Sequence, residues 1–145
     1  MHDFKKIEQY LNNNRHVGVF LFRIFIGCRL LYGVIDNILS WEKMIEFSHF
    51  LESNNFYFPL FSAVFSVYLQ FLGSILILIG FKLRIISFFI TINFIVALIF
   101  VHFRANDTIE GMTPALAMLF GSLTLLFYGP DKTSLDYYFR SKNRE

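Results

Sequence analysis

At 145 residues the chain has the length of one domain, yet 55% of it is hydrophobic, 20 residues are Phe and only 17% are charged, against about 25% in ordinary soluble domains. A water-soluble core of this size has no room for so much apolar surface, which excludes a soluble globule. The formal net charge is only +2, and the basic residues lie where membrane topology requires them, so no nucleic acid partner is expected.

In chain order, Phe4, Ile7, Tyr10 and Leu11 predict a short amphipathic helix at a membrane surface, ended near residues 12–14. An apolar run follows at 17–39. Lys5, Lys6 and Arg15 before it imitate the head of a signal peptide. The run is longer than the roughly 7–15 residues of such a core, carries internal charges and lacks an A-x-A cleavage pattern, so it is expected to stay in the mature protein. Residues 40–58 form the one long connection. In it Trp41, Met44, Ile45, Ser48, Phe50 and Leu51 fall at helical spacing and predict an outer interfacial helix, while Phe56, Tyr57 and Phe58 anchor the entry to a second span at Pro59.

Further apolar runs lie at 59–79, 85–103 and 113–128. Each approaches the roughly 20 residues needed to cross about 30 Å of hydrocarbon, the last being the shortest. The expected fold is all-α: a single domain over 1–145, an integral membrane bundle of four transmembrane helices. Lys5, Lys6, Arg15, Lys82, Arg84, Lys132, Arg140, Lys142 and Arg144 fall on one side of these spans and only Lys43 and Arg104 on the other. The positive-inside rule therefore predicts cytoplasmic N- and C-termini. Glu42, Glu46, Glu52, Asp107 and Glu110 all fall on the outer side.

Several chemistries lack their parts. Cys28 is the lone cysteine, so one chain cannot build a dithiol relay, and Cys28 is read as a small residue packed in the first span. His102 is the one histidine in or at the edge of a span, which leaves a bis-histidine haem without its second ligand unless chains assemble. No metal-ligand spacing occurs, so no metal site is expected and no cofactor site is complete within a single chain.

What remains is a set of intramembrane polar groups: Arg23, Arg29 and Asp36 on the first span, Gln70 on the second, Asn93 on the third and His102 near its outer end. Arg23 lies roughly 9 Å into its helix, shallow enough to snorkel to the interface. Arg29 lies about 9 Å deeper, near the midplane, with a side chain leaning toward the amino terminus, and so needs partners within the protein. Gln70 and Asn93 reach similar depth. The expectation is a midplane cluster in which the amides of Gln70 and Asn93 accept from Arg29, and an outer layer in which Asp36 faces His102 or Arg104. The plainer alternative for Gln70 and Asn93 is interhelical glue, each contributing about 1 kcal/mol.

The chain also resembles the DoxX family over about residues 23–136. The resemblance is carried by Arg23 with Gly27, by Ile79-Gly80-Phe81-Lys82-Leu83-Arg84 closing a small-residue second helix, by Ala97 and His102 in the third helix, and by Gly129-Pro130 followed by Ser134-Leu135-Asp136. It implies a small four-helix protein of the bacterial inner (cytoplasmic) membrane, and some members are associated with quinone-linked oxidation of sulfur compounds or with oxidant-defence complexes. Relatives commonly carry a carboxylate where this sequence has Gln70, an amide that can orient a ligand but cannot relay a proton by ionising.

The leading expectation is thus a subunit or accessory factor of a membrane redox system, with Arg23, Arg29, Gln70 and Asn93 lining a ligand-binding site for a quinone-like or anionic molecule. Any chemistry would belong to an oxidoreductase-associated subunit rather than a self-contained enzyme. The alternative is a non-catalytic scaffold or assembly factor for a partner complex. The partners expected are the lipid bilayer and other membrane proteins or a second copy of the chain. A small transporter has less support, because inverted repeats and broken helices are not evident.

Overall fold

The computed structural model describes residues 2–143; Arg144, counted above among the basic residues, lies outside them. The described chain is helical and contains no strand. Helix α1 spans His2–Asn13, α2 Arg15–Leu39, α3 Trp41–Ser53 and α4 Pro59–Ile79. Helix α5 spans Leu83–Ala97 and runs into a π-helical turn, Leu98–His102, before α6 at Ile109–Tyr128 and α7 at Leu135–Lys142. Four of these are long and apolar enough to cross a membrane: α2, α4, α5 with its π turn, and α6. An even number of passes brings both ends of the chain to one end of the bundle, the terminal end. Helix α3 and the residues after the π turn close the other, the loop end.

Local chemistry explains the boundaries. Helix α4 starts where Phe58 takes a left-handed conformation and Pro59 supplies the first helical residue, whose missing N–H has no partner to lose. It stops at Gly80, φ +70°, where Gly80 N–H bonds to the carbonyl of Ile77 at 3.1 Å and Phe81 N–H to that of Leu76 at 3.0 Å. This paired closure satisfies carbonyls that would otherwise end unbonded in an apolar setting. The fourth span begins four residues earlier than its apolar run. Thr108 caps it by accepting from Gly111 N–H at 3.2 Å, and Glu110 sits in the first turn, where a negative charge suits the helix dipole.

Two buried clusters hold the bundle. Ile26, Leu30, Ile77, Leu83, Ile86, Ile90, Met118 and Leu125 fill the half toward the terminal end. Val34, Met44, Leu51, Ala63, Val67 and Val101 fill the half under α3. Helix α2 packs mainly on α4 and α5 on α6, while α2 and α6 meet along a thinner seam. That seam closes where Gly121 lets Ile26 reach the α6 backbone, since a Cβ on Gly121 would collide with the Ile26 side chain. Deep in the bundle Thr91 donates to Ser122 at 2.9 Å, a polar contact that links α5 to α6.

Candidate functional site

The polar residues singled out in the spans do not form one midplane cluster. At the terminal end, Arg23 is 1% exposed. Its Nη1 donates to Asp131 at 2.9 Å and its Nη2 reaches Thr133 O and Oγ1 at 3.4 and 3.3 Å. Asp131 accepts further bonds from the Thr133 N–H, at 2.7 Å, and from the Thr133 hydroxyl. The expectation that Arg23 snorkels to the interface is therefore corrected. The segment after α6 folds back over the bundle and carries a carboxylate in to the guanidinium, so the charge is neutralised where it sits. Asp136, five residues later, accepts from the N–H groups of Lys82 and Leu83 at 2.8 and 2.9 Å, capping α5 from the tail.

Arg29 is not joined to Gln70 or Asn93. The buried stripe of α2 is Arg23, Ile26, Gly27, Leu30 and Val34, and at about 100° per residue Arg29 sits roughly 120° round from it. Its guanidinium lies over the Tyr32 ring, 5.8 Å from the centroid, and leans toward Gly33, one turn toward the carboxyl end of the helix. Among the described residues it donates no hydrogen bond. Tyr32 and Asp36 on the same flank are exposed, so this flank faces outward from the bundle. Cys28 is also exposed rather than packed.

The outer layer differs as well. Asp36 faces neither His102 nor Arg104. His102 Nδ1 pairs instead with Asp107 at 2.7 Å, and Arg104 stacks over Phe100, 4.8 Å from the ring centroid. The hydrogen bond from His102 is the chief reason the Asp107 carboxyl is held below the usual carboxylate range, with the Thr108 N–H assisting and partial burial opposing.

The loop end holds a largely aromatic opening. A cavity of about 420 Å³ lies between α3, α4 and α5, walled by aromatic rings that include Phe47, Phe56, Phe65 and Phe89, with Ser62, Ser66, Asn93 and His102 as its polar groups. Gln70 donates to Ser66 Oγ at 3.1 Å and so orients that hydroxyl without lining the cavity itself. The π turn decides which residues of α5 arrive here. Nine residues separate Asn93 from His102, and in a regular helix that spacing puts them about 180° apart. One extra residue in the π turn rotates the later chain by about 100° and brings Val101 and His102 round to the wall that carries Asn93 and Ala97. Within the run Leu98-Ile99-Phe100-Val101 every residue is apolar, so no periodicity signals that shift.

A family model described as DoxX matches residues 18–103, more than half of the chain. The chain belongs to the DoxX family. Neither a curated protein nor a solved structure matches it. The four apolar helices and the family together make this DoxX protein a multi-pass membrane protein with the lipid bilayer as its surroundings. The matched region includes Arg23, Arg29, Gln70, Asn93 and His102, whereas Asp107 and Asp131, the partners that the structure supplies to His102 and Arg23, lie beyond it.

Proposed function

We propose that this DoxX-family protein is a subunit of a membrane redox system that holds a quinone-like molecule in the cavity beneath α3. The observation that carries the reading is the cavity itself: about 420 Å³ of mostly aromatic wall with Ser66, Asn93 and His102 among its few polar groups. Such a lining suits a flat ring with an isoprenoid tail, because the apolar surface takes the tail and a few fixed polar groups orient the ring. A bound quinone would supply two-electron, two-proton carrier chemistry. The Asn93 amide can donate to a ring oxygen. His102, with Nδ1 directed at Asp107, keeps Nε2 free to face a ring oxygen. Gln70 acts through Ser66, which fits an amide at a position where ionisation is not required.

The site thus moves from the midplane to the loop end, and Arg23 and Arg29 are not part of it. We assign the protein to the bacterial inner membrane with the terminal end in the cytoplasm, on the strength of the basic residues gathered there. Purified protein should yield bound quinone on lipid extraction, and Asn93→Leu and His102→Leu should each lower the yield several-fold. Equal, near-zero quinone in wild type and both variants would remove the ligand from the reading.

A second reading, a scaffold for a partner complex, is favoured by Arg29. A guanidinium on the outward flank of a transmembrane helix, with no hydrogen bond among the described residues, is costly in lipid and inexpensive against a polar group of a neighbouring protein. Photocrosslinking from Tyr32 in native membranes separates the readings. A stable protein adduct that Arg29→Leu abolishes favours scaffolding, and lipid adducts alone oppose it.

A further inference from the structure

We propose that the terminal end of the bundle carries a site for one anionic phospholipid, with the phosphate held at the corner of α1 and α2 and an acyl chain lying in the seam between α2 and α6. Two cavities on the same side of the molecule, sharing Tyr128, carry the argument. The first, about 260 Å³, is polar and lies at the chain ends of the helices, lined by Asn12, Arg15, His16, Lys132 and Tyr137 together with Tyr128. The second, about 340 Å³, is an apolar groove lined by Gly18, Val19, Phe22, Thr124 and Leu125, again with Tyr128. A phospholipid needs this sequence of surfaces, a charged pocket at the interface and an apolar channel directly below it.

The charge in the first cavity is positive. Asp131 also borders it, but its carboxylate is occupied by Arg23 and Thr133, so among the described residues that line this cavity Arg15 and Lys132 have no compensating anion. Arg15 is already oriented: its Nε and Nη2 bond to Asn12 Oδ1 at 3.2 and 2.8 Å, and Nη1 remains for a phosphate oxygen. His16 and the Tyr137 hydroxyl add donors at the rim.

The groove is open because Gly18 stands where a side chain would fill it, and a Cβ on Gly18 would meet nothing within 4 Å. Its deep end is shut by Ile26 against Gly121. The lining runs from Gly18 to Phe22 on α2 and from Thr124 to Tyr128 on α6, so the groove offers about 6 Å of wall to the first part of an acyl chain. Thr124 turns no polar group into it, since its hydroxyl is taken up by Phe120 O at 2.8 Å. Tyr128 lies at the boundary, where an apolar ring with a polar tip belongs. Helix α1, with Phe4, Ile7, Tyr10 and Leu11 exposed beside Lys5 and Lys6, suits the plane of the interface and brings Asn12 to headgroup level. A small phosphate would use the first cavity alone. The adjoining groove is what selects a lipid.

The test uses the full chain purified in detergent and incubated with an equimolar mixture of phosphatidylglycerol and phosphatidylcholine, with retained lipid counted by native mass spectrometry. Wild type should keep one phosphatidylglycerol in preference to phosphatidylcholine. Gly18→Leu fills the groove and leaves the charge unchanged, whereas the Arg15→Ala/Lys132→Ala pair removes charge at two exposed positions and leaves the groove intact. Each should lower phosphatidylglycerol retention about tenfold or more. Equal retention of the two lipids by wild type, or undiminished retention by the exposed-residue double variant, overturns the proposal. Displacement of the lipid by millimolar inorganic phosphate would show an anion pocket alone and overturns the lipid assignment.

Discussion

Arg23 and Asp131 are both buried and lie 2.9 Å apart, so neither charge can be removed alone without leaving the other stranded. Truncating one partner of a buried pair costs about 3–5 kcal/mol, while replacing both by apolar residues is often close to neutral. Arg23→Leu and Asp131→Leu are each expected to lower thermal stability steeply in detergent, and the double substitution to recover most of the loss. An additive double variant would mean that the pair is not coupled. His102 and Asp107 give a residue-scale expectation of a different kind. Because Asp107 titrates lower in the folded chain than in the unfolded one, chiefly through His102, its contribution is complete above the unfolded carboxyl's pKa. It is lost as the pH falls through the lowered folded value. Melting temperature measured across that acid window should fall more for wild type than for Asp107→Asn, and parallel curves would show that the hydrogen bond adds nothing to stability.

At the scale of the helix, the sequence is most informative where water is the reference and least where lipid is. The second span is legible to the residue because Pro59 and Gly80 punctuate it. The fourth reads short because Glu110 and Gly111 break the apolar run before Thr113 although Thr108 already caps the helix. Which way Arg29 points is not legible at all. Lipid is as apolar as the bundle interior, so the hydrophobic pattern of α2 does not single out its packed face, and depth alone suggested a meeting with Gln70 and Asn93 that the helix rotation forbids. The π turn is hidden for the same reason, and it makes a prediction that a regular helix would not. Deleting one lipid-facing residue there, Ile99, should relax the turn to α-helix while leaving Asn93, Val101 and His102 on the wall they now share. The variant is expected to stay folded and to melt within a few degrees of wild type, as read by circular dichroism. In an ordinary transmembrane helix the same deletion turns everything beyond it by about 100° and empties the core of Val101.

For the whole molecule the two ends have opposite characters, and the argument about function depends on which end faces which compartment. Lys5, Lys6, Arg15, Lys82, Arg84 and Lys132 gather at the terminal end, where the tail folds back onto Arg23 and caps α5 through Asp136. Glu42, Glu46, Glu52, Asp107 and Glu110 gather at the loop end beside the aromatic cavity. A membrane potential negative inside and the insertion bias for basic loops both favour the terminal end in the cytoplasm. Single-cysteine labelling decides it, using Cys28→Ser as background because Cys28 is the lone native thiol. Ser53→Cys, at the exposed end of α3, should react with an impermeant maleimide in intact cells, and Asn12→Cys, at the exposed end of α1, only after the membrane is opened. The reverse pattern would turn the aromatic cavity toward the cytoplasm and the basic pocket toward the outer leaflet. His102 and Asp107 would then lie beside the opposite compartment, so the labelling result fixes which compartment the aromatic cavity adjoins.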